Sequence, residues 1–196
     1  NNLIDSSINL LNQNISSLWY NRNNRKFNLL YVNKKSIVQN SFSYGADKQE
    51  VLENKIESNF LLFQVFQNNI SITLGNKENI SDFFNSKNYQ YNYRNLSENI
   101  LLSSNETNRV SLNYALKSKK VIDEEINLTL HEIGVDLHRI ISEKSNFQSH
   151  CKYINIDYSG SDNSILNYEL MEGLSSGKNF VWGVNYTKKL KNRMQI

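Results

Sequence analysis

Three histidines, one cysteine and a few acidic clusters are the side chains in this chain best suited to chemistry. His131-Glu132 has the opening of a zinc-protease helix motif. That motif needs a second histidine four residues on, on the same helix face, but position 135 is valine. His131 and His138 stand seven residues apart. That spacing shares a face of a helix and splits across the two faces of a strand. Surface histidines are the plainer reading of both. His150 and Cys151 are neighbours, and neighbours in a strand point to opposite faces, so they do not make a nucleophile–base pair. The ordinary expectation for Cys151 is a buried, inert thiol. A single cysteine also rules out an internal disulfide.

Glu124-Glu125 and Asp162 fall near turns. Their spacing does not resemble a calcium loop, and solvated turn charges account for them. Gly173 and Gly177, with Leu174, Ser175 and Ser176 between them, are turn glycines and not a phosphate loop. The chain thus offers no nucleophile–base–orienter set and no metal spacing. The expectation is a protein without enzymatic activity, with no catalytic, cofactor-binding or metal-binding residue and no cofactor.

The elements that would position such side chains read as strands. At 196 residues the chain is one large domain or a piece of a longer protein. The net charge of +3 gives no case for a nucleic-acid partner. Hydrophobic residues make up 39% and the mean hydropathy is −0.57. Strands that are apolar on one face and wet on the other use so little apolar material well. Proline is absent, as suits long paired strands, where proline would break the ladder. An AT-rich coding sequence explains the same bias. Asn1-Asn2-Leu3-Ile4-Asp5 does not read as a signal peptide, so an exported protein would carry one upstream. No stretch approaches the ~20 apolar residues of a membrane-spanning helix.

Along the chain, residues 3–20 fit helix or strand. Alternation is clear from Phe27 to Val32, with Asn33-Lys34-Lys35 as a turn and Ile37 to Tyr44 as the return strand. Glu50 to Phe66 follows, then a turn at Asn68-Asn69, a strand over Ile70–Leu74 and a turn over 75–79. Tyr89 to Arg94 and Val110 to Leu116 alternate strictly. At His131-Glu132 the apolar parity flips, which predicts a turn or bulge; a helix over 129–142 competes. Asn146 to Tyr158 is a long strand. The segments 166–170 and 180–186 read as a hairpin around the turn at 172–178.

The expected fold is therefore all-β. It is a single consecutive antiparallel meander of roughly a dozen strands over 1–196, forming an outer-membrane-type barrel or part of one. A β-sandwich or open extended sheet is the alternative. Tyr89, Tyr91, Tyr93, Tyr114, Tyr168, Trp182 and Tyr186 suit the aromatic girdles of a membrane barrel, a sugar-stacking platform or ordinary cross-strand packing. Met194 and Ile196 restart the alternation, so Ile196 is expected in a strand edge that continues or docks another envelope protein.

The run Tyr153–Tyr158, Asn163–Leu174, Gly177–Trp182 and Leu190–Ile196 resembles the C-terminal β region of a family of very large cell-envelope proteins of Bacteroidota. Lys26-Phe27, the hairpin from Val32 to Tyr44, Gly75-Asn76-Lys77 and Phe83 to Tyr93 extend the resemblance to residues 26–196. In that family the last segment continues into a strand with Tyr-x-Gly-Arg-Lys and an aromatic-ended strand, so the chain is expected to be a fragment. The resemblance implies export and β structure at the outer membrane or cell surface, with membrane lipid as a partner. It implies a structural or translocation-related role. A soluble binding or adhesion module for glycans or proteins is the other class. No catalytic residue is carried over.

Overall fold

The computed structural model describes residues 8–22, 27–42, 45–62, 65–84, 88–105, 107–122, 126–160, 167 and 170–189. They form nine strands: β1 (Ile8–Arg22), β2 (Phe27–Phe42), β3 (Gly45–Leu62), β4 (Phe66–Ser81), β5 (Tyr89–Asn105), β6 (Asn108–Val121), β7 (Asn127–Ser142), β8 (Ser145–Ser159) and β9 (Gly177–Lys188). Each is antiparallel to the next, in one sheet of order β1 to β9. The meander is as expected. The barrel is not: β1 and β9 are the two edges and do not pair with each other, so the described sheet is open.

Nine strands replace the expected dozen because each is unusually long. They run from 12 to 18 residues, about 40–60 Å at ~3.3 Å per residue. Several expected turns lie inside strands. Asn33-Lys34-Lys35 sits within β2, and both Asn68-Asn69 and residues 75–79 sit within β4. The physical reason is cross-strand hydrogen bonding. Asn33 donates to Asn54 at 2.7 Å, Asn68 to Glu98 at 2.7 Å and Asn69 to Glu57 at 2.9 Å. Asparagine favours turns when its amide has no better partner than the local backbone. Here a neighbouring strand supplies the partner. The apolar run 60–66 holds the β3–β4 turn, with Val65 in it.

The open choice at 129–142 resolves to strand β7, and that at 3–20 resolves to strand β1 over its described residues 8–20, with 3–7 outside them. The described turns at one end of the sheet are short: 63–65 joins β3 to β4, 106–107 joins β5 to β6, and 143–144 joins β7 to β8. At the other end β2 and β3 are only two residues apart, and the later connections lengthen to 82–88, 122–126 and 160–176.

The expected hairpin of 166–170 with 180–186 does not form. The β9 strand pairs with β8 instead, with Tyr153 opposite Phe180 and Phe147 opposite Tyr186. Asn167 and Leu170 lie in a helical turn, closed by Met171 N–H donating to the Asn167 carbonyl at 2.9 Å. Tyr168, Asp162, Glu124, Glu125 and Ile196 lie outside the described residues.

Candidate functional site: a two-faced wall and its inward-folded connection

Residues opposite each other in register share a face, and alternation carries that face along each strand. Followed across the sheet, the register gives one unbroken apolar row. It runs Leu18, Tyr31, Ile56, Ile72, Leu96 and Leu116 from β1 to β6. Four residues along β6, a parallel row on the same face continues through Leu112, Val135, Cys151 and Trp182 to β9. This apolar face is open to its surroundings: Ile56 is 48% exposed, Ile133 57% and Trp182 69%. Among the exposed large hydrophobics of β2 to β9, Val38, Ile140 and Val181 alone lie on the other face. On β6 the apolar stretch from Val110 to Leu116 is about 20 Å long at ~3.3 Å per residue. Toward the long-connection end the same face turns polar, with Glu50 held by Lys35 at 2.8 Å and by Lys48 at 3.1 Å.

The opposite face is polar over most of its area and is laced by cross-strand hydrogen bonds. Asn99 donates to Ser111 at 2.6 Å and to Asn113, and Asn113 donates to Asp136. Lys55 pairs with Glu57 at 2.7 Å, and Lys152 with Glu132 at 2.9 Å. The Tyr93 hydroxyl donates to Glu53 at 2.9 Å, and its ring lies across Gly75, where a Cβ would sit 2.3 Å from the ring. Burial, first, and the neighbouring Glu53 carboxylate both hold the Tyr93 hydroxyl protonated, well above its ordinary range. On β1 both faces are apolar: Leu18 and Tyr20 on one, Leu11, Ile15 and Trp19 on the other, all more than half exposed.

The only buried apolar cluster among the described residues is on the polar face, at the long-connection end. The β8–β9 connection folds inward there. Leu170 is wholly buried among Val121, Leu128, Leu130, Ile154 and Ile156, with Tyr91 alongside. The connection is latched by charge. Lys119, 8% exposed, donates to the Leu170 carbonyl at 2.8 Å and reaches Glu172 at 3.1 Å. Lys117 reaches the other Glu172 oxygen at 2.7 Å. Burial pushes the Glu172 carboxyl up, but the Lys117 hydrogen bond and the two ammonium charges outweigh it and hold its pKa below its ordinary value. Gly173, at φ 80°, turns the chain back toward β9, a conformation glycine takes without steric cost.

This docked connection explains the parity flip at His131-Glu132. β7 carries no bulge there. Leu128 and Leu130 face the connection, whereas Ile133, Val135 and Leu137 face the other way into the apolar row. What changes along β7 is which face is covered.

The singled-out side chains separate in the same way. His138 and His150 lie on the polar face and His131 on the opposite one. His150 and Cys151 sit on opposite faces. Cys151 is exposed, which corrects the expectation of a buried thiol. It lies in the apolar row, whose members Val135 and Trp182 are exposed on either side of it. Tyr89, Tyr91 and Tyr93 stack along the polar face beside the docked connection, with Tyr89 and Tyr91 5.8 Å apart. Tyr114, Trp182 and Tyr186 belong to the apolar face. Among the described residues no group of histidine, cysteine and carboxylates is arranged to hold a metal ion. Sequence reasoning missed Lys117, Lys119, Leu170 and Glu172. Their one signal was two lysines alternating in a strand that is otherwise apolar on the other face.

No family model matches the chain, and no curated protein matches it. The likeness to the Bacteroidota envelope family therefore remains a resemblance. Among solved structures the chain is similar to OmpT (in-vitro folded), an outer membrane protein of Vibrio cholerae, at 10% identity and a TM-score of 0.46. The match covers 88% of this chain and 62% of that one. A likeness at this level carries no argument about function.

Proposed function

We propose that the chain is a non-enzymatic section of a bacterial outer-membrane or cell-envelope protein. It is a β wall whose apolar face lies against lipid and whose polar face lines water. The observation that carries this is the pair of offset apolar rows that together cross all nine strands, exposed on one face and opposed by hydrogen-bonded polar ladders on the other. An exposed apolar surface of this extent is unstable in water without a cover. Lipid is a cover that matches a flat, unbroken belt. The short turns at one end and longer connections at the other suit a wall with a membrane-proximal rim and an outward rim. The role is structural or translocation-related.

One observation favours a second reading. The sheet is open, with both edges unpaired among the described residues, as in a soluble surface or adhesion module whose apolar face packs on a protein layer. Lipid contact decides between the two. The chain has two tryptophans, Trp182 on the apolar face and Trp19 on the other. The protein is refolded into vesicles of brominated phosphatidylcholine as Trp19→Phe and Trp182→Phe. Strong quenching of Trp182, with Trp19 quenched several-fold less, supports the wall. A chain that stays monodisperse without detergent and shows an unquenched Trp182 supports the surface module and overturns the wall.

A further inference from the structure

The polar face carries a second feature, at the short-turn end and away from the docked connection. Arg109 on β6 lies opposite His138 on β7, and His138 lies opposite Gln148 on β8. One step along, Asp136 lies between Ser111 and His150. These six side chains line a concavity of about 460 Å³.

Its charge is unbalanced. Asp136 is the one carboxylate in the lining, and it already accepts from Asn113. Among the described residues Arg109 makes no ion pair, and neither His138 nor His150 has a side-chain hydrogen-bond partner. The His150 ring lies across β9 at Gly183. A Cβ at Gly183 would come within 2.3 Å of the ring, so only glycine leaves that space. The absence of a side chain at 183 thus sets the ring at the rim of the concavity.

We propose that this concavity is a binding site for a small solute bearing a phosphate or other oxyanion group. Arg109 supplies the planar fork of donors that suits a tetrahedral oxyanion. Each histidine adds one N–H when neutral and two when protonated. Ser111 and Gln148 offer hydroxyl and amide partners to the rest of the solute. Asp136, tethered by Asn113, accepts from a hydroxyl of that solute and repels a second anion. The site faces the polar side of the wall and stands whichever material covers the apolar side.

The chain has three histidines, so one experiment reads all of them. The full chain in detergent micelles, with ¹³C-labelled imidazoles, is titrated with inorganic phosphate at constant pH and ionic strength, chloride being the balancing ion. The expected result is saturable shifts at His138 and His150, with His131, on the opposite face, unmoved. Arg109→Gln should raise the apparent Kd about tenfold or more, as expected for loss of a charged donor. Arg109 is exposed, and an unchanged His131 signal reports that this variant folds. Absence of saturable shifts overturns the site. So do equal shifts at His131, shifts that chloride reproduces, or an Arg109→Gln variant with unchanged affinity.

Discussion

Truncating Leu170 to alanine isolates what holds the β8–β9 connection against the sheet. Leu170 has no solvent exposure, and its neighbours Leu128, Leu130 and Ile156 are each at 2% or less. Burying a leucine side chain is worth about 1.5–3 kcal/mol, and the cavity left by truncation adds to the loss, for a total of about 2–5 kcal/mol. The walls of this cavity belong mainly to β6, β7 and β8, which are held by hydrogen-bond ladders. They cannot collapse inward, which puts the cost in the upper part of the range, about 3–5 kcal/mol. At 1.4 kcal/mol per decade this is roughly a 140- to 3700-fold shift toward the undocked connection, up to complete undocking. Hydrogen exchange reads it directly. Leu170→Ala should lower protection of the Met171 and Leu174 amides, which bond to Asn167 and Met171 at 2.9 and 3.1 Å. Central β6 and β7 amides such as Leu112 and Val135 should keep theirs. Unchanged protection at 171 and 174 would refute the docked connection. Equal loss throughout the sheet would refute its independence from the wall.

The latch has a pH sign. Glu172 sits below its ordinary value when folded, so its contribution is complete above the ordinary carboxylate pKa and fades as pH falls through the lower folded value. Protection at Leu174, corrected for intrinsic rate, should therefore drop in acid below about pH 4.5 in the parent chain and stay flat in Glu172→Gln. Gly75→Ala should drive a Cβ into the Tyr93 ring, break its bond to Glu53 and cost about 1–3 kcal/mol in denaturant unfolding; a neutral result would show that the ring moves freely. Ile133→Arg puts a charge in the apolar row and should lower stability in lipid vesicles by about 2–4 kcal/mol if that row meets lipid. A change within 0.5 kcal/mol would count against the wall, since surface substitutions in water typically fall within about that range.

The sequence by itself determined the class of structure. Strict alternation at Tyr89–Arg94 and Val110–Leu116 fixes strand identity, because a period of two allows no other regular element. Strand boundaries were less legible. The asparagines in β2 and β4 look like turn residues until their amides meet Asn54, Glu98 and Glu57 on neighbouring strands. The faces could be read only with the register in hand. Leu128 and Leu130 point one way and Ile133 and Val135 the other, and sequence alone makes that a turn or bulge, or a helix. Tertiary structure makes it one straight strand crossing from a covered polar face to an exposed apolar one. The helical turn that holds Asn167 and Leu170 has the same cause. Its alternating pattern suits a hairpin, but burying Leu170 on β7 and β8 under the Lys119–Glu172 latch places that segment on the sheet's face. Long-range burial and charge pairing decided what local periodicity left open.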